Sequence, residues 1–408
     1  MRNNWVRFGF ALFLAGIPLA PTRGVKGAEP RDRTGPWDVQ ALYAAPKVVW
    51  HAGPVEEGIK ALEYEGEPFN GKPTRVFAYY ARPKGDGPFP AMVLVHGGGG
   101  KAFKEWAKLW ADRGYAALAM DLAGCGPDGA RLPNGGPDQS HPAKFRPFTD
   151  EEVGRMWTYH AVSAVIRGHS LLTELPEVDA NRIGITGISW GGYLTCIVAG
   201  LDHRLKVAVP VYGCGFLNDN SAWLDEFAKM EPAQRQRWLT NFDPSQYLGQ
   251  VRCPILFVNG TNDFAYPLDS YQKSYQLVPG PTDLCVTVRM PHGHPPGWAP
   301  PEIGLFVDQV LRQGVPLARV GMPAVSGDQA STRIESKEPL REGELAYTTD
   351  EGDWSKREWR TVKGTLEGKK LTATLPAKRP LVFFFLVRDG RGATTTSRHV
   401  ILPKVSAD

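Results

Sequence analysis

The sequence predicts an α/β fold: a doubly wound, mostly parallel sheet followed by a small all-β sandwich. Continuous apolar runs at residues 91–95, 206–212 and 254–259 are typical of strands buried in a parallel sheet. Patterns typical of helices alternate with these runs, and this alternation indicates a doubly wound sheet. After about residue 316 the apolar runs are short and no amphipathic helix separates them, which favours an antiparallel sandwich.

The first 28 residues are typical of a secretory signal. Arg2 and Arg7 precede an apolar run at residues 8–20, which is too short to span a bilayer comfortably. Ala28 is a plausible last residue of the signal, although Lys26 fits a cleavage site poorly, and an uncleaved anchor is the alternative. We expect an exported protein, periplasmic or extracellular, without stable membrane insertion after processing.

Charge and cysteine content exclude several functional classes. The formal net charge of the 408 residues is +4, and four basic residues in the first 28 account for all of it. The remaining chain is formally neutral, which argues against a nucleic-acid partner. The five cysteines (125, 196, 214, 253 and 285) are scattered without a metal-binding spacing, so we expect no zinc site.

The first part of the expected sheet begins with a hairpin. Strand-like runs at residues 59–64 and 74–82 flank Asn70-Gly71, a strong hairpin signal. The run at 91–95 leads into His96 and four glycines. The pattern then predicts a helix near 103–111, a strand at 115–122, a functional loop at 123–148, and a helix opened by a capping box at Thr149–Glu152.

Residues 183–193 contain the pattern Gly187-Ile-Ser189-Trp-Gly191 between a predicted strand and a predicted helix, residues 193–201. This is the spacing of a nucleophile elbow, in which a serine stands on a tight strand-to-helix turn. The N-terminus of the following helix then points at the reacting centre. We therefore predict that Ser189 is a nucleophile.

The remaining elements complete both parts of the chain. In the sheet region we expect strands at 206–212, 254–259 and 284–290, a mostly helical insert at 216–248, and helices at 269–277 and 301–312. In the C-terminal region we expect strands at 343–348, 358–366, 370–375, 380–387 and 395–401. The expected division is a signal at 1–28, a catalytic domain at 29–315 and an immunoglobulin- or fibronectin-like accessory domain at 316–408.

A serine nucleophile needs a base and a group that orients the base. In chains with this elbow, an acid and then a histidine follow the serine. Asp263 comes just after a predicted strand and is our candidate acid, with Asp269 in reserve. For the base we prefer His294 to His292, because Gly293 would let the backbone turn and aim the later ring; the other histidine would support the site or face solvent.

Two N–H donors are needed to stabilise the oxyanion formed during acyl transfer. The backbone N–H of Trp190, directly after the nucleophile, is one candidate. The glycine run after His96 supplies the other, for which we choose Gly98. The site needs no cofactor.

These residues resemble the α/β-hydrolase superfamily over about residues 60–310, in particular the dienelactone hydrolase, acetyl xylan esterase and prolyl oligopeptidase branch. The resemblance lies in residues 178–185, the Ser189 elbow, His96-Gly-Gly and Gly293-His294. Dienelactone hydrolases carry a cysteine nucleophile, so Ser189 favours the esterase or peptidase side. The C-terminal β-region departs from acetyl xylan esterases, which usually lack one.

The sequence therefore favours an exported serine hydrolase that cleaves carboxylic esters, including acetyl or other acyl esters of carbohydrate. A small-molecule or carbohydrate ester would be its partner. An oligopeptidase-like serine peptidase is the first alternative. The second is a catalytically vestigial protein in which the β-sandwich binds carbohydrate.

Overall fold

A large mixed sheet organises residues 48–287 of the computed structural model, which describes residue 1, residues 34–127 and residues 129–404. Apart from Met1, the expected signal at residues 1–28 lies outside the described residues. No helix in these described ranges is long and apolar enough to cross a membrane.

In the described residues, the large sheet has the spatial order β1-β2-β3-β5-β4-β6-β7-β8-β9. Its strands are β1 Val48–Trp50, β2 Ile59–Phe69, β3 Lys72–Ala81, β4 Phe89–Val95, β5 Ala116–Met120, β6 Val178–Ile188, β7 Val207–Val211, β8 Ile255–Gly260 and β9 Thr282–Thr287. The first three strands and β5 are joined by antiparallel pairings, whereas β5, β4 and β6 to β9 are parallel. The predicted doubly wound, mostly parallel sheet is confirmed.

Helices cover this sheet, and strands β5, β7 and β8 are buried along their whole length because both of their faces are packed. The helices are α1 Val39–Leu42, α2 Lys104–Asp112, α3 His141–Phe145, α4 Trp157–Thr173, α5 Trp190–Leu201, α6 Leu224–Ala228, α7 Pro232–Phe242, α8 Leu268–Tyr275, α9 His294–Trp298 and α10 Pro301–Leu311. Every residue of α5 is buried, so the helix after the elbow lies in the core.

Two local predictions have different outcomes. The hairpin at Asn70-Gly71 is confirmed, since both residues have positive φ (51° and 74°) and Phe69 pairs with Lys72. The capping box at Thr149 forms as predicted, but it opens a short 3₁₀ helix, Asp150–Arg155, instead of a long α-helix. Met156 then adopts an extended conformation, and α4 begins afresh after it.

The C-terminal region forms two antiparallel sheets that enclose their own apolar core. Its strands are β10 Arg319–Val320, β11 Ala324–Ser326, β12 Gln329–Glu335, β13 Leu340–Thr348, β14 Arg360–Lys363, β15 Thr365–Glu367, β16 Lys370–Thr374, β17 Leu381–Asp389, β18 Thr394–Thr396 and β19 Val400–Leu402. Strands β10, β11, β12, β15 and β16 make one sheet, and β13, β14, β17, β18 and β19 make the other. Leu345, Leu371 and Phe383 lie fully buried in the shared core.

One predicted strand of this region, residues 358–366, divides between the two sheets. It breaks at Gly364, where β14 ends and β15 begins in the opposite sheet. A Cβ at Gly364 would lie 2.5 Å from Leu371 Cδ1, so the backbone crosses directly over the core where a side chain has no room.

Buried histidines make the stability of this fold sensitive to acid. Burial lowers the pKa of His96, His160 and His399 to about 4. Because the unfolded chain binds these protons near pH 6.5, stability falls as the pH drops from about 6.5 to 4. At pH 5 each such histidine should lower the free energy of unfolding by about 2 kcal/mol relative to pH 7.

We expect the thermal unfolding midpoint to be lower at pH 5 than at pH 7, and the decrease to be smaller in the His399→Gln variant. Circular dichroism melts of both proteins would measure this. Groups that titrate in both proteins cancel in the comparison. An equal decrease in the two proteins would contradict a contribution from His399.

Candidate active site

Ser189 stands on the tight turn between β6 and α5. Its backbone has φ 59° and ψ −118°, a strained conformation that α5 follows at once. A Cβ at Gly187 would lie 2.2 Å from Gly191 O, and a Cβ at Gly191 would lie 1.9 Å from Val95 O. Both glycines are therefore required by close backbone contacts. The helix begins at Trp190, three residues earlier than the sequence predicts, because the serine itself makes the whole turn.

The serine lies in a hydrogen-bonded chain with a histidine and an aspartate. Ser189 Oγ is 2.9 Å from His292 Nε2, and His292 Nδ1 is 2.6 Å from Asp263 Oδ2. The carboxylate accepts the Nδ1 proton, which leaves Nε2 free to accept the serine proton. The order Ser189, Asp263, His292 along the chain is the order that the elbow implies.

The structure contradicts the preference for His294, because the imidazole that contacts both Ser189 and Asp263 is that of the alternative, His292. The Nε2 atom of His294 instead accepts a hydrogen bond from Gly97 N at 3.0 Å. The ring of His292 is held between aromatic side chains, with centroids 4.3 Å from Tyr212 and 4.9 Å from Phe264. These contacts aim His292 at Ser189.

Asp263 is held in place by its own loop after β8. Its side chain is 2% exposed, and Oδ1 accepts hydrogen bonds from Ala265 N at 2.9 Å and Tyr266 N at 2.7 Å. Both carboxylate oxygens thus have partners. The reserve candidate, Asp269, lies elsewhere and accepts two hydrogen bonds from the Asn220 side chain.

The two candidate oxyanion donors lie side by side. Trp190 provides the first backbone N–H of α5, and a Cβ at Gly98 would lie 3.0 Å from Trp190 Cδ1. Gly97, before it, approaches the nucleophile itself, since a Cβ at this position would lie 2.9 Å from Ser189 Cβ. The glycine run after β4 therefore packs against the elbow.

Aromatic side chains and a buried lysine surround the indole of Trp190. The ring lies 4.4 Å from Trp223, 5.7 Å from Trp157 and 5.9 Å from Phe145, measured between centroids. Lys144 Nζ is 5.2 Å from the Trp190 ring, and burial lowers the pKa of this lysine to about 8. Lys144 and Phe145 belong to α3, so the long loop at 123–148 reaches the elbow.

Sequence analysis missed Phe264 as a residue of this site. The side chain is 61% exposed although it is large and apolar, and it lies against the base, His292. A signal was available, because Phe264 directly follows the candidate acid in the sequence. The exposed ring places an apolar surface beside the hydrogen-bonded chain.

The connection between β13 and β14 in the C-terminal region contacts the loop that carries Asp263. Asn262, next to Asp263, donates through Nδ2 to Ser355 O at 3.0 Å and to Arg357 O at 2.8 Å. Arg289, close to His292, donates to Trp359 O at 3.2 Å. Residues 355–359 thus contact both the loop that carries Asp263 and the loop that carries His292.

In the part of the chain that the structure describes, no group of three or more His, Cys, Asp or Glu residues could hold a metal ion. The five cysteines are free thiols, and four of them are buried. The hydrogen-bonded chain of Ser189, His292 and Asp263 is the arrangement that general-base activation of a serine requires.

Comparisons with known proteins show which proteins this chain resembles. The acetyl xylan esterase (AXE1) family model matches residues 50–245. The acetyl esterase Axe7A of Xylanibacter ruminicola is 23% identical over 235 residues, which are 52% of this chain and 51% of that protein. A putative carboxymethylenebutenolidase of Methylorubrum extorquens is 24% identical over 220 residues, 53% of this chain and 66% of that protein.

Among solved structures, an acetyl xylan esterase from Paenibacillus sp. R4 superposes with a TM-score of 0.53 and 24% identity. The superposition covers 67% of this chain and 92% of that one, and it shows the shared fold. The chain spans about half the length of the acetyl esterase it matches. The fold and the family match together confirm the resemblance inferred from the elbow and the glycine loop.

Proposed function

We propose that this chain, which has an α/β-hydrolase fold and is similar to acetyl xylan esterases, is a serine hydrolase of carboxylic esters. The observation that carries the proposal is the hydrogen-bonded chain from Ser189 through His292 to Asp263, with distances of 2.9 Å and 2.6 Å. A serine hydroxyl that shares its proton with an oriented imidazole is poised to attack an acyl carbon.

In the proposed mechanism, Ser189 Oγ attacks the ester carbonyl while His292 Nε2 takes its proton. The backbone N–H groups of Trp190 and Gly98 stabilise the negative oxygen of the tetrahedral intermediate. His292 then protonates the leaving alcohol, which leaves an acyl-enzyme. A water molecule gives its proton to His292 and attacks the acyl carbon, and the carboxylic acid departs as Ser189 recovers its proton.

The proposed substrate is an acyl ester of a carbohydrate, an acetyl ester in the first instance. The similar protein named acetyl esterase supports the acyl group. The exposed ring of Phe264 beside His292 supports the sugar, because an aromatic face packs well against the apolar face of a pyranose. Export, proposed from residues 1–28, would place the enzyme where polysaccharide is found.

A fluorophosphonate probe tests the proposal, since it reacts covalently only with an activated serine. We expect the purified protein to be labelled, and the Ser189→Ala variant to be unlabelled with kcat on an acetyl ester reduced about 10⁴-fold or more. Circular dichroism should show both proteins equally folded. If the wild type remains unlabelled, the site is inactive and a binding role takes precedence.

The choice between ester and peptide is tested on the same preparation. We expect turnover of acetylated xylo-oligosaccharide or an aryl acetate to exceed turnover of a dipeptidyl amide. Faster cleavage of the amide would replace the esterase proposal with a peptidase.

A further inference from the structure

The backbone of Gly97 is held at both its N–H and its carbonyl oxygen by histidine side chains. Its N–H donates to His294 Nε2 at 3.0 Å, and its carbonyl oxygen accepts from His96 Nδ1 at 2.8 Å. Gly97 begins the glycine run whose next residue, Gly98, is the candidate oxyanion donor. The conformation of this run therefore depends on two side chains that take no part in the hydrogen-bonded chain of Ser189.

The proton positions on both rings follow from their backbone partners. Leu122 N donates to His96 Nε2 at 2.8 Å, so the proton of this imidazole is on Nδ1 and is donated to Gly97. Gly97 N–H can only donate, so His294 Nε2 must be an unprotonated acceptor. Burial, together with the neighbouring His96 and His292, lowers the pKa of His294 to about 4, so the ring is neutral near pH 7.

The packing of the loop leaves little room for another arrangement. A Cβ at Gly100 would lie 2.7 Å from both His294 Nε2 and His96 Nδ1. A Cβ at Gly97 would lie 2.5 Å from Ile188 O, on the strand that ends at the nucleophile. The ring of His294 is itself fixed at 4.7 Å from Phe103, measured between centroids. The loop is thus wedged between the elbow and the two histidines.

We propose that His294 is a positioning residue that fixes the N–H of Gly97 and so holds the start of the glycine run, while His96 fixes the carbonyl oxygen of the next peptide group, which contains the Gly98 N–H; together they orient that N–H toward the oxyanion. The proposal rests on the proposed function, because it assigns the geometry of that reaction's oxyanion site. His294 does not contact Ser189 as a base would, and the proposal assigns it a different role in the same reaction. Donors of an oxyanion site act through their fixed position, so a small displacement weakens them.

Two substitutions separate the hydrogen bond from the packing. His294→Gln keeps a hydrogen-bond acceptor near the position of Nε2 but removes the ring, whereas His294→Phe keeps an aromatic ring beside Phe103 but removes the acceptor. His51 is an exposed residue directly after β1. The variant His51→Phe is therefore the matched control for a histidine-to-phenylalanine change.

The first readout is hydrogen–deuterium exchange by mass spectrometry, which requires no activity. We expect peptides spanning residues 96–103 to exchange faster in His294→Phe than in the wild type, while His294→Gln and His51→Phe remain close to the wild type. Unchanged exchange in His294→Phe would overturn the proposed hold on Gly97, whatever the activity of the protein.

The second readout is the division between kcat and KM on an aryl acetate. We expect His294→Phe to lower kcat about 10- to 100-fold with KM changed less than about 3-fold, and His294→Gln to keep kcat within about 3-fold. Equal losses in the two variants, or a wild-type kcat in His294→Phe, would overturn the positioning role. If the exchange result holds but the wild type has no turnover or labelling, the proposed function fails while the hold on Gly97 stands.

Discussion

Replacing His292 by alanine should lower kcat about 10⁴- to 10⁶-fold. His292 is the side chain that contacts both Ser189 and Asp263, at 2.9 Å and 2.6 Å. Without it the serine hydroxyl has no base, and the leaving alcohol has no acid. Steady-state turnover of an aryl acetate by the purified variant measures the effect.

The comparison with His294→Gln makes this result decisive between the two histidines. Both variants lose an imidazole from the same short loop after β9, but only the first removes the contact with Ser189. The fluorophosphonate labelling rate should fall with kcat in His292→Ala. A His292→Ala protein that retained kcat within about 10-fold of the wild type would contradict the assignment of the base.

Replacing Asp263 by asparagine should lower kcat about 10⁴-fold while leaving the fold intact. Two backbone N–H groups, from Ala265 and Tyr266, donate to Oδ1 at 2.9 Å and 2.7 Å. They will hold the amide oxygen of the asparagine at that position. The amide NH₂ must then face His292 Nδ1, which forces the proton of the imidazole onto Nε2. In that tautomer the ring has no lone pair for the serine proton.

Asp269→Asn is the control for this carboxyl-to-amide change. Its carboxylate lies at the start of α8 and bonds the Asn220 amide rather than a histidine. We expect Asp269→Asn to keep kcat near the wild-type value and Asp263→Asn to lose it. A similar kcat for the two variants would show that the tautomer argument is incorrect.

The elbow and the acid could be predicted because their signals are local. Ser189 lies between glycines that the close backbone contacts require, and Asp263 comes three residues after the end of the apolar strand β8. The choice between His292 and His294 was not local. It depends on Tyr212, whose ring stacks on His292, and on Gly97, whose N–H donates a hydrogen bond to His294 Nε2. These partners are distant along the chain, so their contacts leave no signal in the short sequence around the histidines.

The same distinction explains the elements that were missed. The capping box at Thr149 was recognised, but the extended conformation of Met156 that ends its helix depends on tertiary packing. In the C-terminal region the apolar runs without intervening helices indicate strands, and ten strands are found in the described residues. Their division between two sheets at Gly364 follows from the core around Leu371, which periodicity alone does not reveal.

Because Asn262 donates hydrogen bonds to Ser355 O and Arg357 O, the C-terminal region of this protein cannot be exchanged for another without losing contacts near Asp263. A chimaera that joined a different C-terminal module after α10 would keep every residue of the hydrogen-bonded chain of Ser189. It would nevertheless remove both acceptors that restrain the residue beside Asp263. Recombination between the two regions would therefore disturb the Asp263 loop as well as the packing of the fold. We expect the two regions to be inherited together.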